Sequence, residues 1–199
     1  MSEPEAALQA HVADSLSGLE VEELARARRI ADVGAGAGFP GLALAIALPG
    51  ARVDLIESAG RKATVIGRLA QAAKLDNARA VRARAEEWAA TPAALGGGGE
   101  AYEAVTARAV AALPVVVEYA APLLRMDGVL VAWKGARDAA EEESGHRAAE
   151  LVGLSVGEVL RVEPFEGARD RHLQTFRKIA PTPERFPRRP GMAAKRPLG

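Results

Sequence analysis

Cysteine is absent from the 199 residues, which excludes disulfides, a thiol nucleophile and any cysteine-ligated metal. Aromatic side chains are scarce at 4%, and three histidines at 11, 146 and 172 are too scattered to suggest a metal site. No apolar run reaches the roughly 18 residues that a membrane span needs. The acidic start MSEPEAALQAHVADS lacks the basic and apolar regions of a secretory signal. A cytoplasmic protein without membrane or metal partners is therefore the expectation. Net charge is zero, but that figure conceals an asymmetry. Residues 171–199 carry eight Lys or Arg against Glu184 alone, so this segment is +7 and the rest −7. A basic end on an acidic body suits a phosphate-rich partner, or simply a solubilising terminus.

What is present is one long α/β pattern, enough for a single domain with a real core. Residues 5–29 read as two short helices. Ile30–Val33 is a first strand, Pro40–Leu48 a helix ended by Pro49-Gly50, and Arg52–Ile56 a second strand ending in Glu57. Arg61–Leu75 has helical period, 77–82 is a weak third strand, and 85–90 a short helix. Gly96–Gly99 reads as an unpacked surface loop. Tyr102–Thr106, a helix over 110–124 and a strand over 128–133 follow. A charged helix over 139–151 and two late strands, 155–162 and 172–179, complete the pattern. From Pro181 onward five prolines fall within 17 residues, predicting irregular structure over the surface.

Alternating strands and helices give a mainly parallel sheet covered on both faces. Two consecutive late strands must pair as a hairpin, so one runs antiparallel. The expectation is a seven-stranded α/β sheet of the class I S-adenosylmethionine-dependent methyltransferase type, Rossmann-like, spanning residues 30–180. A short helical segment precedes it at 1–29, and a basic Pro/Arg-rich tail follows at 181–199. A monomer is expected.

The chemistry centres on IADVGAGAGFPG, residues 30–41. Strand, glycine-rich turn and helix start in that order hold a nucleotide-like ligand at the edge of an open α/β sheet. A dinucleotide fingerprint can be laid on Gly36, Gly38 and Gly41, which would make the protein an NAD-dependent oxidoreductase. A lone GxGxxG is weak evidence, however, and Glu57 follows only 16 residues after Gly41. Asp32 followed by Gly34, Gly36 and Gly38 fits better. It resembles the acidic residue and glycine loop of S-adenosylmethionine-dependent methyltransferases, which implies a ribose-binding role for Glu57. A carboxylate offers two acceptor oxygens to two adjacent hydroxyls.

Further stretches point to one family. HVADS (11–15), DVGAGAGFPG (32–41), AEEW (85–88), VTARAVAAL (105–113), AWKG (132–135) and the ending RFPRRPGMAAKRPL resemble the RsmG family, also called GidB. The resemblance implies a methyltransferase acting on N7 of a guanine in 16S rRNA of the small ribosomal subunit. In that family the base is guanine 527. By the same resemblance, cofactor contacts fall at Asp32, Gly34, Ala35, Gly36, Gly38, Phe39, Glu57, Ala85, Glu86 and Arg108. Candidate RNA contacts are His11, Asp14, Ser15, Arg61, Lys62, Lys134, Arg188, Arg189 and Lys195. Several carry a plainer reading: His11 as a solvent-facing helix residue, Phe39 as sheet packing, Glu86 as a helix-start acid, Arg108 as a surface cation. No catalytic general base is expected, because guanine N7 carries no hydrogen. Members of the family usually have a longer helical front with Trp-Asn and Asn-Leu-Thr signatures; here 29 residues precede the first strand and those signatures are absent. That departure leaves the cofactor fold intact and bears on RNA affinity, so a catalytically weak rRNA-binding or assembly protein is the other alternative.

Overall fold

A computed structural model describes residues 4–199. Seven strands form one sheet in the order β3-β2-β1-β4-β5-β7-β6. They are β1 (Arg29–Val33), β2 (Arg52–Ile56), β3 (Ala78–Val81), β4 (Tyr102–Arg108), β5 (Leu124–Lys134), β6 (Leu154–Arg161) and β7 (His172–Lys178). The pairs among β1 to β5 are parallel, whereas β7 runs antiparallel to both β5 and β6. The two late strands do pair as a hairpin, and the structure sets β7 beside β5 with β6 at the sheet edge.

The apolar runs in β1, β2, β4 and β5 are continuous because both faces are covered. Alternate residues feed two cores. Ala31, Val33, Ile56, Val105 and Leu130 pack with α5 (Ala85–Ala90), α6 (Leu113–Ala120) and α7 (Ala139–Val152). Ile30, Val53, Leu55, Ala104 and Val131 pack on the opposite face with α2 (Glu22–Arg26), α3 (Gly41–Ala47) and α4 (Gly60–Ala72). Helix α1 (Pro4–Leu16) leads into a 3-10 turn at Ser17–Glu20 and so reaches the C-terminal edge of the sheet. A last one-turn helix, α8, spans Met192–Lys195.

Several local expectations are corrected. Gly96–Gly99 is not an unpacked insert: Gly97 and Gly98 are buried, and a Cβ on Gly98 would stand 2.3 Å from the Trp88 ring. The helix expected over 110–124 is shorter, because Pro114 sits at its start and Leu123 and Leu124 already belong to the turn and strand that follow. Strand β5 begins at Leu124, earlier than expected; its exposed Arg125–Asp127 stretch, with Asp127 at φ 63°, breaks the alternation that marks a strand. Residues beyond 181 are irregular but packed: Phe186 and Ala193 are buried, Phe186 in the α6–α7 core.

Candidate cofactor and acceptor cleft

The parallel strands end together, and the loop after β1 crosses that edge. Gly34 and Ala35 donate their N–H groups to the Ile56 carbonyl at 2.9 and 3.1 Å, tying the loop to the end of β2. Gly34 and Gly36 hold φ of 67° and 57°, a region costly for other residues. A Cβ on Gly34 would lie 2.8 Å from Val110, whereas one on Gly36 would meet only the Gly34 carbonyl oxygen, at an ordinary contact distance of 3.7 Å. Backbone is thus presented bare to the cleft.

Asp32 works from below. It is fully buried, with Oδ2 accepting the Gly41 N–H at 3.0 Å and Oδ1 the Thr106 hydroxyl at 2.9 Å. Burial raises its pKa to about 7. This corrects its expected place among cofactor contacts: Asp32 anchors α3 and β4 beneath the loop. Gly38 is likewise a turn residue, with Leu42 filling the space where its Cβ would be, 2.5 Å away.

Glu57 does face the cleft. Its Oε2 accepts from Gly36 N–H at 3.0 Å and its Oε1 from Ala59 N–H at 2.8 Å. Two backbone donors fix the carboxylate while each oxygen keeps a second lone pair. A cavity of about 660 Å³ opens here, walled by Gly34–Ala37, Phe39, Glu57, Lys62, Arg108, and His11 and Asp14 of α1. Beside it lies a smaller, mostly apolar slot of about 200 Å³. Ile56, Ser58, Ala83, Ala85, Glu86, Val110 and Tyr119 line that slot, which shares Gly34 and Val110 with the larger cavity.

The outer wall of the large cavity is a knit of charge and rings. Arg108 donates to Asp14 Oδ2 at 2.7 Å and to the His11 carbonyl at 3.2 Å. Its guanidinium lies 5.6 Å from the Phe39 ring centre, and His11 stacks on the same ring at 5.9 Å. Trp133 Nε1 donates to the Asp14 carbonyl at 2.7 Å, binding α1 to β5. Asp14 Oδ1 is buried without a hydrogen bond, and Arg171 Nε stands 3.9 Å from it.

His11, Asp14, Gly34, Ala35, Gly36, Phe39, Glu57, Lys62 and Arg108 are therefore brought together around one cavity, and Ala85 and Glu86 around the adjoining slot. Others are not. Ser15 is fully buried and donates back to the His11 carbonyl at 2.6 Å, so its expected RNA contact is withdrawn. Arg188 is tied to the buried Glu118, with Nε 2.6 Å from Oε1, and is a tail anchor in place of an RNA contact. Lys134 lines a neighbouring cavity of about 210 Å³ and is paired with Glu141 at 2.5 Å. Arg61, Arg189 and Lys195 are exposed outside these cavities. Sequence reasoning missed Phe165 and Arg171, which reach the large cavity from the β6–β7 connection. The only advance signal was an aromatic and a basic residue flanking the turn between the two late strands.

Sheet order, hairpin and glycine loop define a class I S-adenosylmethionine-dependent methyltransferase, and the NAD-dependent oxidoreductase alternative falls with that topology. Solved structures agree on the fold. A mitomycin 7-O-methyltransferase superposes with a TM-score of 0.66 at 17% identity, covering 86% of this chain and 54% of that one, so the chain spans about half of its length. A methyltransferase from Aquifex aeolicus gives 0.65 at 16% identity, covering 89% of this chain and 94% of that one. The chain belongs to the GidB family, rRNA small subunit methyltransferase G, whose profile matches residues 1–173. A relative from Rubrobacter xylanophilus, the ribosomal RNA small subunit methyltransferase G, is 45% identical over 199 residues, covering 98% of this chain and 75% of that protein.

The site fits S-adenosylmethionine, the cofactor of this class. Its lining is chemically compatible with that group: glycine backbone at Gly36, a fixed carboxylate at Glu57 and a mostly apolar slot edged by Glu86. Among the described residues no cluster of three or more His, Asp or Glu is placed to hold a metal. No described helix is long and apolar enough to cross a membrane.

Proposed function

We propose that this enzyme methylates N7 of a guanine in the 16S rRNA of the small ribosomal subunit. The carrying observation is the outer half of the cleft. There the stacked Phe39 and His11 stand in one cavity wall with Lys62, Arg108 and Arg171, two rings among three cations. Unstacked RNA bases are recognised by such rings, and their phosphates by such cations. The name of the Rubrobacter relative supports small-subunit rRNA as the substrate.

In this reading Glu57 accepts the ribose hydroxyls, the loop through Phe39 passes the methionine end, and Ala85 and Glu86 flank adenine. Bound S-adenosylmethionine supplies a methyl group on a positively charged sulfur. Guanine N7 offers a lone pair and no hydrogen, so no side chain has to remove a proton before transfer. What remains for the chain is alignment: rings and cations hold the base edge toward the loop. Arg108, clamped by Asp14, stands at the boundary between the two ligands.

Incubating the protein with labelled S-adenosylmethionine and small subunits that lack the modification tests this reading. Label in 16S rRNA, mapped to one N7-methylguanine, is the expected result. RNA binding without transfer would favour an assembly protein, and label in another RNA would overturn the substrate.

A further inference from the structure

The segment after β7 does more than lie on the surface. Phe186 and Ala193 are buried, and between them Arg188 reaches the nearly inaccessible Glu118 on α6. The second guanidinium nitrogen also donates to the Arg196 carbonyl at 2.9 Å, which closes the segment on itself. Gly191, at φ 79°, then turns its N–H onto Glu86 Oε1 at 2.7 Å. One turn later Ala194 stands in the wall of the 200 Å³ slot, which Ala85 and Val110 also line.

We propose that residues 186–196 form a wall of the adenine subsite, held there by the Glu118–Arg188 ion pair, and that this wall sets the affinity for the adenosine half of the cofactor. The inference rests on placing adenine in the slot beside Glu86. Glu86 has two partners in this arrangement, the tail amide on one oxygen and the purine edge on its cavity side. Removing the ion pair frees the tail, exposes the slot to water and leaves Glu86 without its backbone donor. Arg188 is thus a positioning residue that touches neither ligand.

Calorimetry with S-adenosylhomocysteine and with 5′-methylthioadenosine, which lacks the amino-acid end, tests the inference. Arg188→Ala is expected to weaken both ligands by the same factor, about tenfold, with partial recovery in Arg188→Lys. Unchanged affinities, with amide exchange showing 186–196 released, would overturn it. So would a loss confined to S-adenosylhomocysteine. Should Arg188→Ala not fold, Ala194→Phe carries the test, since Ala194 is exposed and its enlargement fills the slot. Weakened binding of both ligands is expected there, and normal binding overturns the wall. If the unaltered protein bound neither ligand, the cofactor placement itself would fall, a result distinct from a tail that proves irrelevant.

Discussion

The Glu57 carboxylate at the tip of β2 accepts the amide of Gly36 at 3.0 Å, across the loop that leaves β1. In the function proposed above, this single bond locks the acceptor for a ribose to the loop backbone that passes the methionine end. Register makes it possible, since β1 and β2 pair from Arg29↔Arg52 to Val33↔Ile56 and end side by side.

Replacing Glu57 with alanine removes the partner of Gly36 and, in the proposed reading, the ribose acceptor. A hydrogen bond to a charged group contributes about 1.5–3 kcal/mol, so S-adenosylhomocysteine affinity should fall roughly ten- to hundredfold. Gly36→Val should abolish binding, because valine at φ 57° displaces the loop. Titration calorimetry, with circular dichroism as the check on folding, reads both.

Asp32 links the site to pH. Its folded pKa of about 7 lies above the ordinary 3.8, because burial disfavours the charge. Between those values the folded protein holds a proton that the unfolded chain has lost, so this group lowers stability as pH rises from about 4 to about 7. Denaturant titrations of wild type and Asp32→Asn should show the difference moving in favour of the asparagine variant across that window. A difference that does not vary with pH would contradict the assignment.

Asp14 and Arg108 are both largely shielded, and their bond ties α1 to β4. Asp14→Ala leaves Arg108 without its carboxylate, and a loss of about 1–3 kcal/mol is expected from denaturant unfolding. The same change frees Arg108 from beside Phe39, so methyl transfer to RNA should fall more than cofactor binding does.

The proposed RNA contact does not extend to every basic residue of the tail. Arg189→Glu with Lys195→Glu should weaken RNA binding and flatten its salt dependence, while leaving folding intact, since both residues are exposed. Arg188→Glu should instead destabilise the protein, because it sets a carboxylate against the buried Glu118. Filter binding over a salt series separates the two effects.

Strands β1 and β2 are legible in the sequence because each is a short run closed by a clear signal, β1 by the glycine loop and β2 by Glu57, and both ends matter to the site. The β6–β7 hairpin is legible from order alone. The start of β5 is not: Arg125, Met126 and Asp127 are exposed and fall in the irregularity between the Tyr102↔Leu124 and Ala104↔Val129 pairs. Gly97 and Gly98 read as filler because the reason for their small size, packing that includes the Trp88 ring, is a tertiary contact. Ser15 and Arg188 carry the right residue types for RNA contact, and burial reassigns them. Phe165 and Arg171 have no local pattern and reach the cleft only because β7 lies next to β5.

The central claim is that the lone pair of guanine N7 in small-subunit rRNA takes the methyl group. Its most direct test compares transfer to a 16S rRNA transcript with transfer to one in which guanine is replaced by 7-deazaguanine. Methylation of the first and none of the second is the expected result; equal transfer to both would contradict the claim.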